Sequence, residues 1–143
     1  MWMRTVLLGA AIGFVFWILT TLIGRYIIDP IACGQVVNAV LCNDPKPLAG
    51  NIAAILVAVG GVISMVRIGA SRPIIVAIAT AAILWQLGAW ISGLFWLEAI
   101  AWSVILYALT YALFAWITRH AVLWLTIAIS LAIVIIIRIL LAL

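Results

Sequence analysis

Charge is what this sequence has least of. Seven Lys/Arg, three Asp/Glu and one His stand among 143 residues, so 7% of the chain is charged. A soluble domain keeps roughly 25% of its residues charged so that water can wet its surface. With 71% hydrophobic residues and a mean hydropathy of +1.50, this chain has no such surface, and lipid is its expected solvent. The other scarcities exclude chemistry. Three acids are too few for a two-carboxylate site within one apolar segment. Two cysteines and the single, distant His120 do not make a four-ligand zinc site. No strand precedes Gly60-Gly61 and no Lys follows it, which excludes a phosphate loop. The basic residues stand singly, so there is no run of the kind that grips RNA, DNA or a patch of anionic lipid. The expectation is a non-enzyme with no metal, no cofactor and no nucleic-acid partner.

Long apolar runs are what the sequence does have. They are continuous, as in Ile127–Ile137, and lack the apolar–polar alternation of a membrane β-barrel. Helices are the remaining way to satisfy every backbone group in hydrocarbon. A crossing takes about 20 apolar residues. The sequence therefore predicts an all-α integral membrane protein, one transmembrane domain over residues 1–143 with no soluble domain. About five helices are expected, over residues 5–28, 51–66, 74–92, 97–117 and 121–143, with four as the alternative if two runs are not full crossings. The first run is too long and too uniformly apolar for the core of a cleaved signal peptide. Residues 29–50 form the expected outer loop, broken by Pro30, Gly34, Pro45, Pro47 and Gly50.

Threading follows from where the arginines fall. The compact Arg67–Pro73 turn carries two of them, and short loops obey the positive-inside rule best. A cytoplasmic N-terminus places Arg4, Arg67, Arg72 and Arg119 inside and Arg25, Lys46 and Arg138 outside. The membrane is expected to be a bacterial plasma membrane, with loop 29–50 on its oxidising outer side. Both cysteines, Cys33 and Cys42, fall in that loop, and a disulfide between them is expected to contribute about 2–3 kcal/mol. Eight residues separate them, against two in a redox-active Cys-x-x-Cys motif.

The candidate polar site consists of Arg25, Glu98, Gln86 and Tyr107. An acid in or near a span is a functional candidate because exposing it to hydrocarbon costs several kcal/mol. Glu98 also stands where a helix start favours negative charge, at the depth expected for Arg25, so an ion pair between the two is predicted. Gln86 falls mid-span as a candidate interhelical hydrogen bonder. Tyr107 and Tyr111 lie one turn apart as an aromatic ridge or a cavity wall. Ser64, Thr80, Ser103, Thr110, Thr126 and Ser130 are expected to return their hydroxyls to their own helices. Gly9 and Gly13, Gly60 and Ser64, and Gly88 and Ser92 are small residues four apart, the spacing that lets helices approach closely. Trp2, Trp116 and Trp124 sort to one boundary and Trp90, Trp96 and Trp102 to the other. Trp17 and Trp85 fall deeper. The function this suggests is a scaffold, assembly or accessory subunit acting through helix packing. Its partners would be membrane lipids and a second copy or another membrane protein. The alternative is a small oligomeric transporter or channel using Glu98, Gln86 and Tyr107.

Overall fold

A computed structural model describes residues 2–35, 45–70 and 72–143, and all the regular structure among them is helical. Helix α1 spans Trp2–Leu22 and continues through wider π-type turns at Ile23–Ile28 and Ile31–Gln35. Then come α2 (Lys46–Arg67), α3 (Pro73–Ile83), the short α4 (Leu87–Ile91), α5 (Trp96–His120) and α6 (Leu123–Ala142). Among the described residues, four helices are long and apolar enough to cross a membrane: Trp2–Ile28, Lys46–Arg67, Trp96–His120 and Leu123–Ala142.

The expected third span, 74–92, is not one helix. It breaks after Ile83, and Gln86 sits in the left-handed region at φ 73°. The two pieces still run from one end of the bundle to the other. Arg72, at the start of α3, touches the α5–α6 junction, and Ser92, just after α4, accepts a hydrogen bond from Lys46 at the start of α2. Four long helices and one interrupted pass therefore replace the five helices expected, and the number of long helices is that of the four-helix alternative. Residues 80–87 hold no Pro or Gly, so the break comes from tertiary contacts rather than local propensity.

The expected loop is also shorter at both ends. Helical turns continue through Pro30 to Gln35, and α2 begins at Lys46. Pro30 has no N–H to donate and its ring crowds the carbonyl a turn earlier. The flanking π turns widen the helix where that crowding falls. At the other end, Pro47 lies in the first turn of α2, where a missing N–H leaves no bond unmade.

The core is the seam between α1 and α5, closed on its flanks by α2 and α3. Phe16 of α1 packs on Tyr107 of α5 with ring centroids 5.3 Å apart, and Tyr111 follows one turn along at 6.5 Å from Tyr107. Gly9 and Gly13 lie directly against the α5 backbone at Tyr107–Ala108 and Ser103–Val104. Gly61 of α2 receives the Tyr111 hydroxyl, whereas Gly60 faces open space. The close-packing glycine of that pair is thus Gly61 and not Gly60. Gly50 and Gly88 lie backbone to backbone, so that a Cβ on Gly50 would stand 2.6 Å from the Gly88 Cα. Trp17 and Trp85 are half-buried against the core, while Trp2, Trp90, Trp96, Trp102, Trp116 and Trp124 are exposed. Helix α6 is the most apolar of the four long helices, yet only 11% of its most apolar stretch is buried, against 33% to 39% for the others.

Candidate functional site

Three basic side chains are anchored on carbonyls near helix ends. The peptide dipoles of a helix sum to a partial negative charge at its C-terminus, and the last four carbonyls there lack helical partners. Lys46 Nζ donates to the Ser92 carbonyl beyond α4 at 3.1 Å. Arg72 Nη1 donates to the Ala121 carbonyl at 3.0 Å and to Thr126 Oγ1 at 2.9 Å, closing the α5–α6 junction. Arg138 reaches from α6 to the break in the third pass. Its Nε and Nη2 donate to the Ala82 carbonyl at 3.1 and 2.8 Å, and Nη2 also to that of Trp85 at 3.3 Å. Arg138 was expected near an outer boundary. Instead it meets α3 about 15 Å along from Pro73, at 1.5 Å rise per residue, and so near the middle of the pass.

At the end of the bundle that holds the N-terminus lies a cleft of about 760 Å³. Four stretches of chain build it: the first turn of α1, the turn between α2 and α3, the last turns of α5, and Ala121. Helix α5 stops at His120 because Ala121 and Val122 are extended, with ψ near 150°. This aims Arg119 and His120 at the opening, where the α5 C-terminus favours positive charge. Arg4 comes from the first turn of α1. Arg72 holds the left-handed position before α3, at φ 55°, with its guanidinium spent on the α5–α6 junction. His120 Nδ1 is 2.9 Å from the Trp116 carbonyl, which can only accept, so Nδ1 carries the proton and Nε2 is left as an acceptor. Trp2 and Trp116 flank these groups. No acidic residue is among the described residues that line the cleft. Arg4, Arg72 and Arg119 are expected on one side, but they are 47 to 115 positions apart along the chain and nothing local marks them as a cluster. Alternation of helix direction puts them at one end, but their convergence depends on how closely α1 packs on α5.

The candidate polar site does not assemble. Arg25 and Glu98 are both exposed, and no ion pair joins them. Glu98 instead occupies the first turn of α5, where the helix dipole alone favours a carboxylate. Gln86 is exposed at the helix break rather than buried between helices. Tyr107 is 2% exposed and packs on Phe16, and its hydroxyl has no hydrogen-bond partner. A second cleft, of about 350 Å³ at the opposite end, is lined by Thr20, Lys46 and Trp96 among others. Glu98, Gln86 and Tyr107 line neither cleft.

The hydroxyl expectations divide. Ser64 and Thr110 donate to carbonyls four residues back, at 2.8 and 2.7 Å. Thr126 donates to Ala121 and accepts from Arg72. The buried hydroxyls of Thr80, Ser103 and Ser130 are unpaired, contrary to expectation. Cys33 is exposed and is not a free thiol, and its expected partner Cys42 lies outside the described residues. Compared with protein-family models, curated proteins and solved structures, the chain matches none.

Proposed function

We propose that this chain is an integral membrane bundle whose work is helix packing, an accessory or assembly subunit that presents α6 to an apolar helix of another membrane chain or of a second copy. The observation that carries this reading is the mismatch on α6. It is the most apolar long helix and the least covered. The two arginines that hold it, Arg72 and Arg138, fix one narrow face, on which Thr126 and Ser130 are buried. Leu131, Ile135 and Ile139 remain exposed along the rest. Extraction in a mild detergent tests it. The particle should exceed one 15.5-kDa chain with its detergent, and Leu131→Trp/Ile135→Trp should return it to one chain without unfolding it. A monomeric wild type would leave lipid as the cover of this face and remove the packing role. A homodimer that conducts ions in liposomes would favour the transport alternative instead.

The threading belongs to the same proposal. Arg4, Arg67, Arg72 and Arg119 gather at the end of the bundle that holds the N-terminus, and Arg25 and Lys46 stand at the other. Arg138 lies three-quarters of the way along α6 with its guanidinium turned back to the break in the third pass, so the margin supporting a cytoplasmic N-terminus is four against three. Cys33 and Cys42 then lie outside and form the disulfide. In intact cells, a membrane-impermeant thiol reagent should label both only after reduction. Labelling without reductant would remove the bridge, and labelling that requires permeabilised cells would invert the threading.

A further inference from the structure

We infer that the cleft at the N-terminal end of the bundle binds a phosphate-bearing anion, and that in the membrane this anion is the headgroup of an acidic phospholipid. The lipid source rests on the membrane reading above, whereas the affinity for phosphate does not.

The charge in the cleft is uncompensated. Arg4, Arg72 and Arg119 converge there, and no acid is among the described lining residues. Arg72 is already engaged by a carbonyl and a hydroxyl, and it braces the floor. Arg4 and Arg119 are exposed and make no hydrogen bond or ion pair with any described residue. Two guanidinium groups without partners, facing one concavity, suit an anion that accepts several parallel N–H bonds. Phosphate does so better than any halide, because its oxygens match the guanidinium fork. His120 lies at the same opening but is no donor to the anion in this tautomer, because Nδ1 carries the proton and Nε2 can only accept.

The shape points to the source. A volume of about 760 Å³ falls in the range of small-molecule sites, roughly 300–1,000 Å³. The cleft is open to the outside, and its rim carries Trp2 and Trp116, 63% and 57% exposed. Indole rings of this exposure sit at the headgroup level of a bilayer. A lipid phosphate at that level would meet the arginines while its chains ran down the apolar flank of α1 and α5. The cytoplasmic leaflet, where the positive end is proposed to lie, is also the leaflet whose anionic lipids attract basic segments.

The test uses the full chain in mild detergent, titrated separately with phosphatidylglycerol, phosphatidylcholine and inorganic phosphate. Binding is read by native mass spectrometry and by the shift in unfolding temperature. Phosphatidylglycerol should bind at least about tenfold more tightly than phosphatidylcholine, more weakly as salt rises. Arg4→Gln/Arg119→Gln should lose that preference, Arg4→Lys/Arg119→Lys should keep most of it, and Arg25→Gln at the opposite end should keep all of it. Inorganic phosphate binding with the same dependence on Arg4 and Arg119, but with no preference between the lipids, would uphold the phosphate site and assign it a soluble ligand. Equal binding of both lipids with no phosphate binding overturns the proposal. So does an equal loss in Arg25→Gln, or no difference between the Lys and Gln variants. Retention of the chain in membranes washed at alkaline pH reports on the membrane reading separately.

Discussion

Arg138→Met should lower stability by about 2–3 kcal/mol, measured as detergent-solubilised unfolding followed by circular dichroism. The estimate starts from what Arg138 satisfies. The interrupted pass leaves the Ala82 and Trp85 carbonyls without helical donors, and three hydrogen bonds from one guanidinium fill the gap. Bonds to charged groups contribute about 1.5–3 kcal/mol each in favourable cases, and a buried carbonyl left unpaired costs about 1–3 kcal/mol. These contributions are not additive for a single side chain. Two effects oppose them. Methionine is freed of the penalty for holding a charge among apolar residues, and hydrogen bonds within membrane bundles average only about 0.6 kcal/mol. The first effect largely cancels. A chain that unfolds while its helices stay in an apolar phase keeps Arg138 there too, without the carbonyls to pair it. The second sets the lower bound. Arg138→Lys should cost about half as much, because an ammonium keeps the charge but cannot bridge two carbonyls with a planar fork. Amide exchange near residues 84–87 should speed up in Arg138→Met before the rest of the chain is affected. A loss below about 0.5 kcal/mol, with exchange unchanged at the break, would mean that the break does not depend on Arg138.

The break shows where the sequence could be read and where it could not. Residues 74–92 are apolar apart from Thr80, Gln86 and Ser92, and Leu84-Trp85-Gln86 are ordinary helix residues. Nothing local marks an interruption. Placing Gln86 at φ 73° costs roughly 1–2 kcal/mol, because a side chain there meets the following carbonyl. What offsets that cost arrives from Arg138, more than 50 positions away. Arg138 was read as a boundary residue for the same reason: an arginine near a chain end is ordinarily a topology signal. Hydropathy, by contrast, is a sum over local residues. It locates the four long helices to within a few residues, apart from the start of α2, which lies five residues before its expected place at 51. The loop was overestimated because Pro30 reads as a stop, whereas π turns accommodate it. The cleft is an intermediate case. Its residues were assigned to one side by alternation of helix direction, but their convergence depends on how tightly α1 lies on α5, and that tightness is set by two glycines.

Gly13→Leu should prevent folding of the bundle, and Gly13→Ala should cost about 1–3 kcal/mol, the range for overpacking a close-packed core. A Cβ on Gly13 would stand 2.8 Å from the Val104 Cα and 2.9 Å from the Ser103 carbonyl carbon, and it would collide with the Ser103 oxygen. Carbon atoms in contact prefer about 3.5–4.0 Å. These neighbours are backbone, so no rotamer change relieves the overlap. Helix α1 must move off α5 by about 1 Å instead, and each contact along the seam then forfeits part of its dispersion energy. The Phe16–Tyr107 pair, one turn away, is the first to loosen. Helix propensity works the other way, since alanine is favoured over glycine by about 1 kcal/mol in a helix interior. Gly60→Ala isolates that gain. Gly60 is helical and a Cβ there meets nothing within 4 Å, so this variant should be neutral or more stable by about 0.5–1 kcal/mol. The difference between the two alanine variants, about 1–4 kcal/mol, measures the close approach of α1 to α5 with propensity removed. Gly9→Ala should fall between them, because its contacts lie at 2.9 Å and one of them is the Tyr111 Cβ. If Gly13→Ala proved as mild as Gly60→Ala, α1 and α5 would not meet through their backbones, and the cleft built on that contact would lose its geometry as well.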